Sequence, residues 1–116
     1  MPVPVDDVAT LQKYLDGVVN RADHHADSIR EVVFPLIGAI VYFKNPKFPI
    51  KVLTRQGATG NVLWVWIGDA KYAFSYEHKS GSVALKRGST QGKVLARFTN
   101  ETETSDIIEQ FRRLAR

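Results

Sequence analysis

Hydrophobic residues follow two periods along this chain, a helical period in the first third and a strand period afterwards. Over residues 8–22 apolar side chains recur every three or four positions, which predicts a helix with one buried face, capped by Asp6 or Asp7. The motif Ser28-x-x-Glu31 is typical of a helix start, so a second helix is predicted from about Ser28. Its apolar positions are Ile29, Val32, Val33, Leu36, Ile37 and Ile40.

The sequence leaves alternatives at two points of these two helices. One unbroken helix over residues 7–43 would be roughly 55 Å long at 1.5 Å per residue, longer than a domain of this size, so a break or sharp bend is predicted around residues 23–27. Pro35 would remove one hydrogen bond from any helix in whose interior it lay. An alternative interpretation makes Ala39–Phe43 a strand.

After the turn-rich segment Asn45–Pro49 the period changes to two, which predicts strands. The predicted strands are Ile50–Arg55, Val62–Ile67, Lys71–Glu77, Ser82–Arg87 and Lys93–Thr99. The predicted turns between them are Gln56–Gly60, Gly68–Asp69, Ser80–Gly81 and Gly88–Gly92. A last helix is predicted from about Ser105 to Ala115, capped by Thr104 or Ser105. Residues 1–116 are therefore predicted to form one α+β domain, with N-terminal helices packed on an antiparallel meander of four to five strands and a C-terminal helix.

Hairpin register divides the predicted sheet into two faces. Turns of two residues at Gly68–Asp69 and Ser80–Gly81, and of four after Arg87, pair odd positions of one strand with even positions of the next. The predicted core face holds Leu63, Val65, Ile67, Tyr72, Phe74, Tyr76, Val83, Leu85, Val94, Ala96 and Phe98. The opposite face holds Trp64, Trp66, Lys71, Ala73, Ser75, Glu77, Ala84, Lys86, Leu95 and Arg97.

Two tryptophans among basic side chains make the opposite face the candidate binding surface. Its predicted contact residues are Trp64, Trp66, Lys71, Lys86 and Arg97. Indole rings offer apolar area, a stacking face and a hydrogen-bond donor, and the cations suit an anionic partner. The alternative is that the C-terminal helix or a second subunit covers the tryptophans, since soluble proteins rarely leave a large apolar patch open to water.

Composition and charge add exclusions and a second hypothesis. The 116 residues include no cysteine, which excludes disulfides, thiolate-held zinc, iron–sulfur clusters and cysteine nucleophiles. The formal charge of +4 is unevenly distributed, because the segment from Lys44 to Thr99 carries +8 and the rest of the chain −4. A basic sheet interleaved with aromatic residues makes nucleic-acid or polyanion binding an alternative function, whereas a merely solvated basic face is the structural alternative.

Residues suited to catalysis or metal binding are few. The segment Asp23-His24-His25-Ala26-Asp27, with His78 as a distant candidate, is the one cluster with metal-ligand residue types, and it supports a small-molecule or metal-dependent enzyme as a further alternative. Adjacent helical histidines point about 100° apart, so a polar bend between helices explains the run equally well. No nucleophile elbow, phosphate loop or dinucleotide fingerprint is present, so neither catalytic residues nor a cofactor are predicted.

The N-terminal residues lack a basic region followed by an apolar one, so no secretory signal is predicted and the cytoplasm is the expected compartment. The longest apolar run, residues 32–43, is too short for a hydrocarbon layer of about 30 Å, and no membrane partner is expected.

Three segments carry a resemblance to a known family. They are NVLWVWIGDAKYAFSYEHKSGSVALKRGSTQGKVLARFTN at 61–100, RADHHA at 21–26 and GAIVYF at 38–43. In these the chain resembles the uncharacterised small proteins encoded by mobile integron gene cassettes. The resemblance implies a bacterial, cytoplasmic, self-associating accessory protein of unknown activity, and it assigns no catalytic residue. We therefore expect a non-enzymatic binding or protein-interaction module, a homo-oligomer with a protein or a small molecule as ligand.

Overall fold

The chain places its helices on one side of a five-stranded antiparallel sheet. A computed structural model describes residues 8–9, 11–13, 15–16, 29–55, 58–77 and 79–116. The central helix is Val33–Phe43 and the C-terminal helix is Thr104–Ala115. The strands are β1 Lys51–Arg55, β2 Ala58–Ile67, β3 Ala70–Glu77, β4 Ser82–Arg87 and β5 Val94–Phe98. Neighbours in the sheet follow chain order and all pairs are antiparallel, so the predicted α+β meander is confirmed.

The N-terminal residues agree with the first predicted helix wherever the structure describes them. Residues 8, 9, 11–13, 15 and 16 are helical, and Leu11 is buried in the core. The proposed caps Asp6 and Asp7, the predicted bend at residues 23–27 and Ser28 lie outside the described residues.

The central helix starts later than the sequence predicts. Ile29 has a 3₁₀ conformation, residues 30–32 form a turn, and the α-helix begins at Val33. Its start is held from a distance, because the side-chain Oδ1 of Asn100 accepts the backbone N–H groups of Glu31 and Val32 at 2.9 Å each. Pro35 lies in the first helical turn, whose N–H groups have no intrahelical partner, so it removes no hydrogen bond from the helix.

The rest of the central helix continues to Phe43, so the alternative of a strand at Ala39–Phe43 is wrong. The apolar spacing of a helix, sustained over three turns, outweighs the β-branched residues at its end. The C-terminal helix begins at Thr104 with Glu103 as its N-cap and without a side-chain cap bond, so the predicted capping by Thr104 or Ser105 is wrong.

The core lies between the helices and one face of the sheet. Phe111 of the C-terminal helix stacks on Phe74 of β3, with ring centroids 5.7 Å apart and planes at 10°, and Phe43 approaches Phe111 to 5.8 Å. Fully buried residues from both layers surround these rings, and each contributes about 1.5–3 kcal/mol of apolar burial. The sheet members of this cluster are Leu63, Val65, Ile67, Tyr72, Phe74, Val83, Leu85 and Phe98.

Two turns of the sheet differ from the predicted lengths. Strand β2 begins at Ala58, within the predicted turn Gln56–Gly60, and pairs with Arg55 of β1. Pairing with β1 provides hydrogen bonds that outweigh the low strand propensity of this segment. Between β3 and β4, Glu77 pairs with Ser82, so the connection has four residues instead of two. A change of two residues preserves the alternation, and Val83 and Leu85 face the core as predicted.

A β-bulge overturns the predicted faces at the start of β5. Leu85 pairs with Ala96, but Lys86 pairs with Val94, so Leu95 is an extra residue between the two pairs. Leu95 packs against the core, although the sequence places it on the opposite face. Val94, which the sequence places on the core face, instead pairs with Lys86, a residue of the opposite face.

Candidate functional site

The five residues predicted at the binding surface share one face of the sheet. In the register, Trp64 lies between Lys51 and Ala73, Trp66 lies opposite Lys71, and Ala73 lies opposite Lys86. Arg97 pairs with Ala84 on the same face. We call this side, which also includes Glu77, the tryptophan face. The C-terminal helix packs on the other face through Phe74 and Phe111, so the alternative that this helix covers the tryptophans is wrong.

A small pocket opens at one end of the tryptophan face. It has a volume of about 80 Å³ and is lined by Phe48, Pro49, Lys51, Trp64, Trp66 and Lys71. Both indoles are half-buried, whereas Lys51 and Lys71 are exposed. Phe48 stacks on Trp66 with centroids 4.5 Å apart and planes at 22°. We call this cavity the tryptophan pocket. It combines stacked aromatic walls with two lysines from β1 and β3, the strands on either side of β2.

Asn45 fixes the loop that carries Phe48. Its side-chain NH₂ donates to the carbonyl of Gly68 at 2.8 Å, and its backbone N–H donates to the carbonyl of Trp66 at 2.7 Å. Its side-chain oxygen accepts the backbone N–H of Lys47 at 2.9 Å. Gly68, with φ of 61°, takes the left-handed conformation that this two-residue turn requires. The loop after the central helix is thereby attached to the β2–β3 turn, beside the tryptophans.

Two of the predicted contact residues form an ion-pair cluster instead of lining the pocket. The Lys86 ammonium lies 3.0 Å from Glu77 Oε2, and the Arg97 guanidinium lies 3.1 Å from Glu77 Oε1. The Lys86 Nζ also donates to the carbonyl of Thr90 at 3.0 Å. Hydrogen bonds from Lys86 and then from Arg97 hold the pKa of Glu77 below its ordinary value, against the opposing effect of desolvation. One carboxylate is thereby shared by two cations, so the cluster keeps a net charge of +1.

Sequence reasoning missed three residues of the site, and the signals differ. Lys51 is within a predicted strand, but the five-residue turn expected before β2 would pair it with Val65 and so place it on the other face from Trp64. Phe48 and Asn45 were interpreted only as members of a turn. An aromatic residue between two prolines, after an asparagine able to form an Asx turn, was the available signal for an ordered loop.

The proposed metal ligands give no site that can be described. His24, His25 and His78 lie outside the described residues. Within the described part of the chain, no group of three or more His, Cys, Asp or Glu residues could hold a metal ion. The helices that the structure describes include none long and apolar enough to cross a membrane.

Comparison with known proteins gives one informative result. The family model described as "Integron cassette protein VCH_CASS1 chain" matches residues 11–107, a span that includes the central helix, the whole sheet and the start of the C-terminal helix. The comparison with curated proteins gives no match.

Proposed function

The chain belongs to the integron cassette protein family, and within that family we propose that it is a non-enzymatic binding module whose tryptophan pocket holds a small anionic ligand. Membership of the family identifies no ligand, so the proposal depends on the chemistry of the pocket. Cytoplasmic location and self-association, both implied by the family resemblance, are parts of the same proposal.

The observation that supports an anionic ligand is the placement of Lys51 and Lys71 on either side of the two indoles. Both lysines are exposed, and none of the described residues lining the pocket carries a carboxylate that would neutralise them. Two cations near one anionic group each contribute about 1 kcal/mol in a water-exposed site. A carboxylate or a phosphate is thus the group that this end of the pocket favours.

The aromatic walls define the remainder of the ligand. A volume of about 80 Å³ accommodates an anionic head group but not a whole drug-sized molecule, so the rest of the ligand has to lie on the open indole surface. Stacking of a flat ring on an indole contributes about 0.5–1.5 kcal/mol beyond the burial of apolar area. The favoured class is an aromatic carboxylate or phosphate. Apart from the two exposed lysines, the lining side chains include no nucleophile and no general base, which favours binding over catalysis.

Intrinsic fluorescence is a selective assay for this proposal, because the chain has two tryptophans and both line the pocket. We expect phenyl phosphate to change tryptophan emission saturably, and the neutral benzyl alcohol to bind much more weakly. Lys51→Gln and Lys71→Gln should each weaken phenyl phosphate about fivefold, which corresponds to the loss of about 1 kcal/mol. Lys79→Gln removes the same charge from an exposed turn at the other end of β3 and should leave the affinity unchanged.

Equal affinity for phenyl phosphate and benzyl alcohol would contradict the anionic specificity. Equal effects of Lys71→Gln and Lys79→Gln would show that only the overall positive charge matters. Either result would remove the tryptophan pocket from the proposal.

Nucleic-acid binding through the same face is the second candidate, supported by the cations and indoles together. The ion pairs that Lys86 and Arg97 form with Glu77 weaken the case for nucleic-acid binding. The cations that line the pocket are then Lys51 and Lys71. If a single strand contacts only these two lysines, a plot of the logarithm of its binding constant against the logarithm of the salt concentration should have a slope of about −1.4. A slope beyond about −3 for a single-stranded oligonucleotide would instead indicate that the whole basic sheet engages phosphates.

A further inference from the structure

The central helix exposes an apolar surface on the side facing away from the core. Its sequence, VFPLIGAIVYF, includes no charged residue. Val33, Leu36, Ala39 and Ile40 are buried against the sheet, whereas Tyr42 is 81% exposed, Phe34 56% and Val41 47%. Helices that are apolar on all sides are normally buried on all sides. The outer side of this helix therefore has the composition of an interface.

Three exposed residues and the half-buried Pro35 are arranged symmetrically about Gly38, the middle residue of the helix. Phe34 and Tyr42 lie four residues before and after Gly38, and Pro35 and Val41 lie three residues before and after it. Residues three and four apart share one helix face, so these four side chains surround Gly38. A Cβ at Gly38 would meet no atom of the described residues within 4 Å, so the backbone is open at the centre of the surface.

This symmetry suits a second copy of the same chain. A two-fold axis through Gly38 would place Phe34 against the partner's Tyr42 and Pro35 against the partner's Val41, as an isologous interface requires. Two helices can approach closely where a glycine replaces a side chain at their crossing point. The antiparallel arrangement also opposes the two helix dipoles favourably.

The charges at the ends of the helix are complementary in the same arrangement. Glu31 precedes the helix and is exposed, and Lys44, which is half-buried, follows its last residue. Antiparallel pairing brings Glu31 of each copy towards the partner's Lys44, so symmetry creates two such contacts. Arg30, the cation next to Glu31, already interacts within its own chain.

A groove beside the helix gives the partner's aromatic side chains a place to pack. It has a volume of about 480 Å³ and is lined by the central and C-terminal helices, including Pro35, Gly38, Tyr42, Ile108 and Arg112. The exposed apolar side chains around it offer on the order of 400 Å², within the range that marks interaction sites on monomer surfaces. That area is about half of one side of a standard interface, so a reversible dimer is expected.

We propose that the central helix forms the interface of a homodimer, in which two copies of the helix cross antiparallel at Gly38. The surface is distinct from the tryptophan pocket and does not depend on any ligand.

Sedimentation velocity over a range of protein concentrations tests this interface. We expect concentration-dependent dimerisation of the wild type. Gly38→Leu should give a folded monomer, because the monomer has open space at this position and leucine favours a helix over glycine, whereas the added side chain blocks the crossing. Tyr42→Asp should also give a monomer, and Phe48→Asp, a matched change of an exposed aromatic residue in the tryptophan pocket, should still dimerise.

Charge reversal tests the orientation of the two helices. Glu31→Lys should weaken the dimer about tenfold, because two ion pairs are lost at once, and adding Lys44→Glu should restore it. A wild type that is monomeric at every concentration would overturn the proposal and assign the helix surface to a different partner. A Gly38→Leu variant that dimerises like the wild type would overturn it as well.

Discussion

Asn45 is expected to control the shape of the tryptophan pocket although it does not line it. Its side chain donates to the Gly68 carbonyl at 2.8 Å and accepts the Lys47 N–H at 2.9 Å. Asn45→Ala removes both bonds and leaves two backbone bonds, one from the residue 45 N–H to the Trp66 carbonyl and a longer one from the Phe48 N–H to the residue 45 carbonyl at 3.3 Å. The loop then loses the contacts that hold Phe48 against Trp66, so the variant should alter stability and the site together.

The size of the effect follows from the two bonds. Each contributes about 0.5–1.5 kcal/mol net, so Asn45→Ala should lower the free energy of unfolding by about 1–3 kcal/mol. For a domain of this length, 1 kcal/mol corresponds to about 4 °C in Tm, which gives a decrease of about 4–12 °C. Because Phe48 shields one side of Trp66, loosening the loop should also shift tryptophan emission to longer wavelength and weaken phenyl phosphate binding.

Asn100→Ala is the matched control for this experiment. It also removes an asparagine side chain, whose oxygen accepts two backbone N–H groups at the start of the central helix, on the other side of the sheet from the tryptophans. Both variants should melt early, and only Asn45→Ala should change the emission and the binding. Unchanged emission in a destabilised Asn45→Ala variant would refute the role of this loop in shaping the pocket. An unchanged Tm would refute the hydrogen-bond reasoning itself.

Two further predictions concern the helix start and the ion-pair cluster. Asn100→Ala should lower the free energy of unfolding by about 1–2 kcal/mol, measured by urea denaturation, and Asn100→Asp should lose less, because a carboxylate keeps the acceptor and suits a helix N-terminus. The pKa of Glu77 is lowered in the folded state, so its pairing stabilises the protein above the ordinary value of 4.5 and this contribution is lost as the pH falls through the lower folded-state pKa. The free energies of unfolding of the wild type and Glu77→Gln, obtained from melting curves, should therefore differ by about 0.2–1 kcal/mol per ion pair at neutral pH and become equal in acid. A constant difference from neutral pH to pH 3 would contradict this.

The sheet was predictable from sequence because alternation tolerates errors of two residues. The connection before Ser82 is longer than expected, but Val83 and Leu85 still face the core. The same rule placed Trp64 and Trp66 together on the opposite face. An odd insertion does not have this tolerance. The bulge at Leu95 exchanged the predicted sides of Val94 and Leu95, and no turn residue in the sequence marks it.

Contacts between residues distant in sequence could not be predicted. The start of the central helix depends on Asn100, 68 residues beyond Val32, and no local capping pattern can indicate that bond. The pocket needs Phe48 from a loop and Lys51 from β1, which the fold brings to the tryptophans of β2. Lys86 and Arg97 were correctly placed on the tryptophan face, but their pairing with Glu77 depends on side-chain geometry across three strands.

The two proposed surfaces lie on opposite sides of the domain, and this arrangement constrains how they can influence each other. The tryptophan pocket is on the face of the sheet opposite the core, whereas the central helix packs on the core face with Tyr42 81% exposed. A dimer formed at Gly38 would leave both pockets accessible and add no residue to either. Ligand binding can shift a dimer equilibrium only if the ligand binds monomer and dimer with different affinities. The loop Asn45–Pro49 directly links the end of the central helix to the pocket, so any such coupling would have to pass through Asn45 or through the core beneath the sheet.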